Sequence, residues 1–288
     1  MLRTQDGLRL LGPADLPTLL ELASDDPVVN VFADYRARLT QLEPRWLGGE
    51  MWGYEQNGRM VAACHSAANM VPVVASDASA EDVHDALGAF AGRALAQRRR
   101  CATVVGPTHA VRTLWGLLEP QWGPAREVRW DQPHMEIHGA PTIEPDPDVR
   151  RCGQADVDAL YPACVAMYTE EVGVSPEIGG GGDLYRARVA QLVAKGWSFA
   201  RFEEGRVVFK AEVAAASPYA CQVQGVYVDP ARRGEGLAAR GMAAVVAAAL
   251  RDIAPVVSLY VNAHNVAARR AYAAAGFRQS ALFSTVMF

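Results

Sequence analysis

One stretch constrains this chain more than any other: Gln224-Gly225-Val226-Tyr227-Val228-Asp229-Pro230-Ala231-Arg232-Arg233-Gly234-Glu235-Gly236. Its front half reads as a buried strand, since Val223, Val226, Tyr227 and Val228 are β-branched or aromatic. Asp229-Pro230 ends the strand, because Pro230 has no N–H to donate to a ladder. The back half opens an Ala-rich helix from Glu235 to about Leu250. Gly234 and Gly236, at the helix start, let backbone N–H groups come close to a ligand. Those N–H groups have no intrahelical acceptors and the helix dipole adds positive potential, so the turn suits phosphate oxygens and a pyrophosphate in particular.

The loop lacks the Gly-Lys-Ser/Thr of a P-loop and the third glycine of the dinucleotide fingerprint. Arg233 to Ala238 instead resembles the acetyl-CoA signature of the GNAT N-acetyltransferase superfamily, Gln/Arg-x-x-Gly-x-Gly/Ala. Pro255 to Asn262 then reads as a second buried strand. Asn265 to Tyr272, closing at Gly276-Phe277, resembles the family's second hallmark, Asn-x-x-Ala-x-x-x-Tyr-x-x-x-Gly-Phe, with every named position matched. The resemblance implies an α/β (α+β) fold, a mixed, mostly antiparallel twisted sheet flanked by helices, that uses acetyl-CoA as cosubstrate.

The chain of 288 residues is long enough for two such domains, and a hydrophobic share of 50% supplies their cores. A net charge of −4 gives no support for nucleic-acid or electrostatic membrane partners. Five scattered cysteines without a CxxC pair argue against a disulfide framework or zinc site and for a reducing, cytoplasmic setting. No apolar run approaches the length of a membrane span, and no signal peptide opens the chain. His134, Glu136 and His138 share one strand face but lack further ligands, so no metal is expected.

The layout occurs twice. Trp52 to Glu55, a turn at Asn57-Gly58 and a return from Met60 parallel Trp197 to Phe202, a turn through Gly205-Arg206 and a return from Val207. Each half continues with a helix (Ala80–Gln97; Glu235–Leu250), a strand and another helix. The predicted organisation is a GNAT-like domain over 1–140, a Pro-rich linker at 141–148 and a GNAT domain over 149–288. The copies differ where chemistry would sit. Ala75-Ser76-Asp77-Ala78-Ser79 has no glycine pair, Thr108 falls where Asn265 does, and Trp115 falls where Tyr272 does. The N-terminal copy is therefore expected to lack acetyl-CoA binding.

By the same resemblance, the Val226 and Val228 backbones hold pantetheine and an N–H near Val228 polarises the thioester carbonyl. Gly234, Gly236, Leu237 and Ala238 hold the pyrophosphate through their amides. Arg233 adds charge there or is simply solvated. Asn265 contacts the pantetheine arm or caps a helix. Tyr272 is the general acid toward the leaving thiolate, or a packed tyrosine. An ammonium acceptor must first lose a proton. Glu212 is the favoured base, in an apolar strand, with Glu170 and Glu171 as alternatives and Gln222 in a position where some relatives keep a glutamate. No pairing of Glu212 with Lys210 is expected. The Gly179–Gly182 run reads as a flexible lid or a surface loop. The predicted activity is direct acetyl transfer to a primary amine of a small molecule or a protein lysine. The alternatives are a mycothiol-synthase-like acyltransferase and a non-catalytic acyl-CoA sensor or scaffold. Self-association into a homo-oligomer is left open.

Overall fold

The computed structural model describes residues 7–288, so the first six residues of the expected N-terminal domain lie outside it. The chain forms two compact units. The first takes the described residues up to His134 together with Asn262–His264 and Ser280–Phe288. The second takes Met135–Val261 and Asn265–Gln279.

The first unit opens with β1 (Gly7–Leu10), α1 (Leu16–Ser24), α2 (Val31–Thr40) and the short helix α3 (Pro44–Leu47). An antiparallel meander follows: β2 (Glu50–Gln56), β3 (Arg59–Ser66) and β4 (Asn69–Val74). Asn57 and Gly58 both have positive φ, 52° and 76°, which matches the twist of the flanking strands. α4 (Ala80–Ala96) starts at Ser79, whose Oγ accepts the Asp82 N–H at 3.0 Å, as its sequence signature predicts. β5 (Thr103–Pro107), α5 (Thr108–Trp122) and β6 (Glu127–Ile137) complete the first pass. The chain's final strand, Arg278–Met287, pairs antiparallel with β5 through Ser284↔Gly106 and Val286↔Val104. It completes the first unit although it comes last in sequence. Trp52, Leu87, Phe90, Leu114 and Val286 form the core between this sheet and α4–α5.

In the second unit, β7 (Arg150–Arg151), α6 (Val157–Val172) and α7 (Gly182–Ala194) precede β8 (Ser198–Glu203), β9 (Arg206–Ala216) and β10 (Cys221–Val228). α8 (Leu237–Asp252), β11 (Val257–Tyr260) and α9 (Val266–Ala275) follow, and the sheet order is β7-β8-β9-β10-β11. Glu204 and Gly205, with φ of 48° and 76°, repeat the hairpin geometry of Asn57-Gly58. Phe199, Phe209, Val213, Val245, Val246, Tyr272 and Phe277 make the core under α8 and α9. Gly241 brings α8 close to the sheet, since a Cβ there would lie 2.7 Å from three atoms of the Phe209 ring. The stretch expected to be a spacer is docked on this unit. Thr142 Oγ1 donates to the Ala274 carbonyl at 2.7 Å, and the buried Asp146 carboxylate accepts from Arg201 at 2.8 Å.

Candidate functional site

The site begins with a defect in β10. Against β9 its register slips between Gln224 and Tyr227, and Gly225 takes a φ of +62°. The slip is a β-bulge, the reading that an isolated glycine inside a strand invites. A Cβ at Gly225 would also lie 3.0 Å from Glu212 Cδ, so both conformation and space require glycine. On its other edge β10 pairs in parallel with β11 only at Cys221↔Val257 and Gln222↔Ser258, and past those residues the ladder stops. Val226 and Val228 lie beyond that point, on a strand edge that no longer pairs with β11 and suits an extended amide-bearing ligand.

The strand leads through Asp229-Pro230 into the glycine loop. Gly234 and Gly236 have φ of +87° and +80°, and a Cβ on either would meet nothing within 4 Å, so the requirement is conformational. Helix α8 starts at Leu237, two residues later than the sequence suggests, because the left-handed Gly236 is its N-cap. No side chain caps that end, which leaves the first-turn amides to an anion. Leu237 is buried and anchors the turn, and Ala238 is the next residue of the helix. Arg233 Nε donates to the Val228 carbonyl at 3.3 Å and its Nη2 to Glu170 at 2.7 Å.

Helix α9 places the second set. Asn265 is its N-cap, with the side-chain carbonyl accepting the Ala268 N–H at 3.0 Å, and the left-handed Gly276 ends it. Tyr272, two turns in, is 7% exposed and packs against Phe277. Burial, and then the charge of Glu171, push its phenol pKa well up, so it stays protonated at neutral pH.

Glu212 requires a correction. Its carboxylate is paired with Lys210 after all: Lys210 Nζ donates to Oε2 at 2.9 Å, and Gln224 Nε2 donates to Oε1 at 3.0 Å. The two residues do share a strand face, but that face points into the protein, with Lys210 only 1% exposed. Burial opposes the ammonium, yet Glu212 and Cys164 raise its pKa overall and it remains charged. Lys210 and Gln224 are thus the partners that sequence reasoning missed, because a charge in a strand does not reveal which side of the sheet it faces. Gln222 is buried in β10. Tyr185 packs against Tyr168 at 5.3 Å and donates to the Cys164 carbonyl at 3.0 Å. The glycine run begins in a turn with Gly179 and Gly180 at φ of 69° and 84° and leads into α7.

The equivalent place in the first unit is built differently. β4 and β5 also pair only at Asn69↔Thr103 and Met70↔Val104, but Pro72 then lies against Gly106. The N–H of Ser76 donates to the Asp25 carboxylate at 3.2 Å, so an internal anion already takes that amide. Trp115 is buried and packs at 5.5 Å from Phe288, while Thr108 shares a hydrogen bond with Ser284 at 2.9 Å. A cleft of ≈ 480 Å³ opens in this unit, lined in part by Ser76, His84, His109 and Thr113. His134 hydrogen-bonds Ser280 at 3.0 Å and stacks on Phe283, and His138 bonds Glu136 at 3.0 Å. Among the described residues no group of three or more His, Cys, Asp or Glu side chains could hold a metal ion. No described helix is long and apolar enough to cross a membrane.

Comparison with known proteins places these features. Residues 193–277, which hold the β10 bulge, the glycine loop and all of α9, match the acetyltransferase (GNAT) family. Residues 49–160 match a domain of unknown function (DUF4081). No curated protein matches the chain. Among solved structures, a GCN5-related N-acetyltransferase from Sphaerobacter thermophilus is similar in fold at 17% identity, covering 97% of this chain and 95% of that one with a TM-score of 0.61. A GNAT-family acetyltransferase from Colwellia psychrerythraea is similar at 13% identity, covering 98% and 99%, with a TM-score of 0.59. A tandem GNAT protein from the clavulanic acid biosynthesis pathway is similar at 15% identity, covering 97% and 98%, with a TM-score of 0.56. Splayed strand pair and glycine loop lie inside the stretch that matches the acetyltransferase (GNAT) family, and the chain as a whole shares its fold with GNAT structures, a tandem one among them.

Proposed function

We propose that the second unit is an acetyl-CoA-dependent N-acetyltransferase acting on a primary amine, and that the first unit binds no acetyl-CoA. The observation that carries this reading is the gap beyond Gln222–Ser258, which opens beside the uncapped start of α8. The pantetheine amides pair with the Val226 and Val228 backbone, and the diphosphate sits on the amides of Gly234, Gly236, Leu237 and Ala238. Arg233 adds charge to the diphosphate, and Asn265 contacts the pantetheine arm. A backbone N–H near Val228 polarises the thioester carbonyl. The amine nitrogen attacks that carbon, the C–S bond breaks, and the departing sulfur takes the Tyr272 hydroxyl proton. The proton lost by the acceptor ammonium passes to Glu212, whose carboxylate is otherwise paired with Lys210. A location in the cytoplasm accords with five buried free thiols.

The test is calorimetric titration of acetyl-CoA into the intact protein and into a Gly234→Glu/Gly236→Glu variant, followed by turnover with a panel of amines. One site per chain, lost in the variant, is expected. Two sites per chain would refute the assignment of an empty first unit. Binding without turnover of any amine would favour the sensor reading.

A further inference from the structure

Arg233 is held at both ends of its guanidinium. Nε donates to the Val228 carbonyl at 3.3 Å, and Nη2 to Glu170 Oε2 at 2.7 Å. The Glu170 hydrogen bond is the main reason that the guanidinium pKa is raised. Val228 offers the strand edge that an extended arm would use, and Arg233 stands next to the glycine loop.

Glu170 lies in the last turn of α6, which ends at the left-handed Gly173. From there the chain crosses to α7 with Val174 and Ile178 exposed, and Leu184 is exposed in the first turn of α7. Two tethers act on this segment. Tyr161 donates to Glu177 at 3.1 Å and to the Gly182 carbonyl at 3.2 Å. The other holds the end of α6 that leads into it: Glu170, in the last turn of the helix, accepts from Arg233. The side chains of Arg233 and Glu170 are 46% and 57% exposed. An ion pair that open to water shifts an equilibrium by about 1- to 5-fold, so a multiply charged phosphate group can displace it.

We propose that Glu170 is an internal counter-anion that occupies Arg233 until a coenzyme diphosphate replaces it, and that this exchange loosens the α6–α7 segment. The proposal rests on the coenzyme reading above.

A double-mutant cycle tests it. Coenzyme A is titrated into wild type, Glu170→Ala, Arg233→Ala and the double variant, and amide hydrogen exchange is followed over residues 171–181. Glu170→Ala should tighten coenzyme A by about 2- to 5-fold. The same change in the Arg233→Ala background should have no effect. Exchange over the segment should be faster in Glu170→Ala than in wild type, and coenzyme A should bring wild type to the faster level. A tightening that persists without Arg233 would mean simple charge repulsion and overturn the proposal. So would unchanged affinity in Glu170→Ala, or unchanged or slowed exchange in wild type on binding. If wild type binds no coenzyme A, the coenzyme reading falls and takes this inference with it.

Discussion

Lys210→Met offers the sharpest test of the buried pair beneath the β10 bulge. The substitution keeps the length and much of the apolar stem but removes the ammonium 2.9 Å from Glu212. Glu212 is then a carboxylate with only the Gln224 amide, at 3.0 Å, and little water, its side chain being 10% exposed. Leaving one member of a buried pair costs about 3–5 kcal/mol. Protonation sets a ceiling on that cost, because the folded protein can neutralise the carboxyl. Against an unperturbed glutamate, the ceiling is about 4 kcal/mol at pH 7.5 and about 1.5 kcal/mol at pH 5.5. The sign follows from linkage. In the variant the folded-state carboxyl titrates above the unfolded one, so stability is fullest at low pH and falls as pH rises through the folded value. Urea unfolding of wild type and Lys210→Met at both pH values reads this directly. The gap between them should at least double from pH 5.5 to 7.5, and Lys210→Met/Glu212→Gln should close most of it at the higher pH. A variant as stable as wild type at pH 7.5, or a gap independent of pH, would refute the account of a buried, mutually dependent pair.

Gly241→Ala should destabilise the protein despite the better helix propensity of alanine. The new Cβ meets the fully buried Phe209 ring at 2.7 Å, an overpacking of about 1–3 kcal/mol against a propensity gain of about 1; a raised urea midpoint would contradict the packing. Tyr272→Phe should leave the acetyl-CoA Kd within about 2-fold and lower kcat by about 10²-fold, the usual size of a lost general acid. Unchanged turnover would remove Tyr272 from the chemistry. Glu50 should dominate part of the acid limb of the first unit: burial opposes its charge, but Arg93, Gln97 and Trp52 hydrogen bonds hold its pKa at about 2. The stability from its ionised form is complete above the unfolded value near 4.5 and is lost as pH falls toward 2. Glu50→Gln should flatten the circular-dichroism acid titration across that window.

The amino-acid sequence alone determined the features that depend on neighbouring residues. Asn57-Gly58 and Glu204-Gly205 adopt positive φ because the hairpin twist demands it, and both turns were legible from residue type and flanking strands. Asn265 and Gly276 bound α9 for equally local reasons, a cap and a left-handed stop. The glycine loop and the paired motifs fall within the stretch that matches the acetyltransferase family, and the repeat pointed to the tandem fold. Tertiary structure decided what depends on partners far along the chain. Lys210 and Glu212 could each have faced water, and only the packing of α6 on that side of β9 turned the face inward. Arg233 meets Glu170 across 63 residues, and Ser76 meets Asp25 across 51. The final strand joins β5 because its hydrogen-bonding edge fits there, a pairing that composition and periodicity do not encode. Local conformational preference is written residue by residue, whereas the sheet face and the charge partner are set by which surfaces the whole chain buries together.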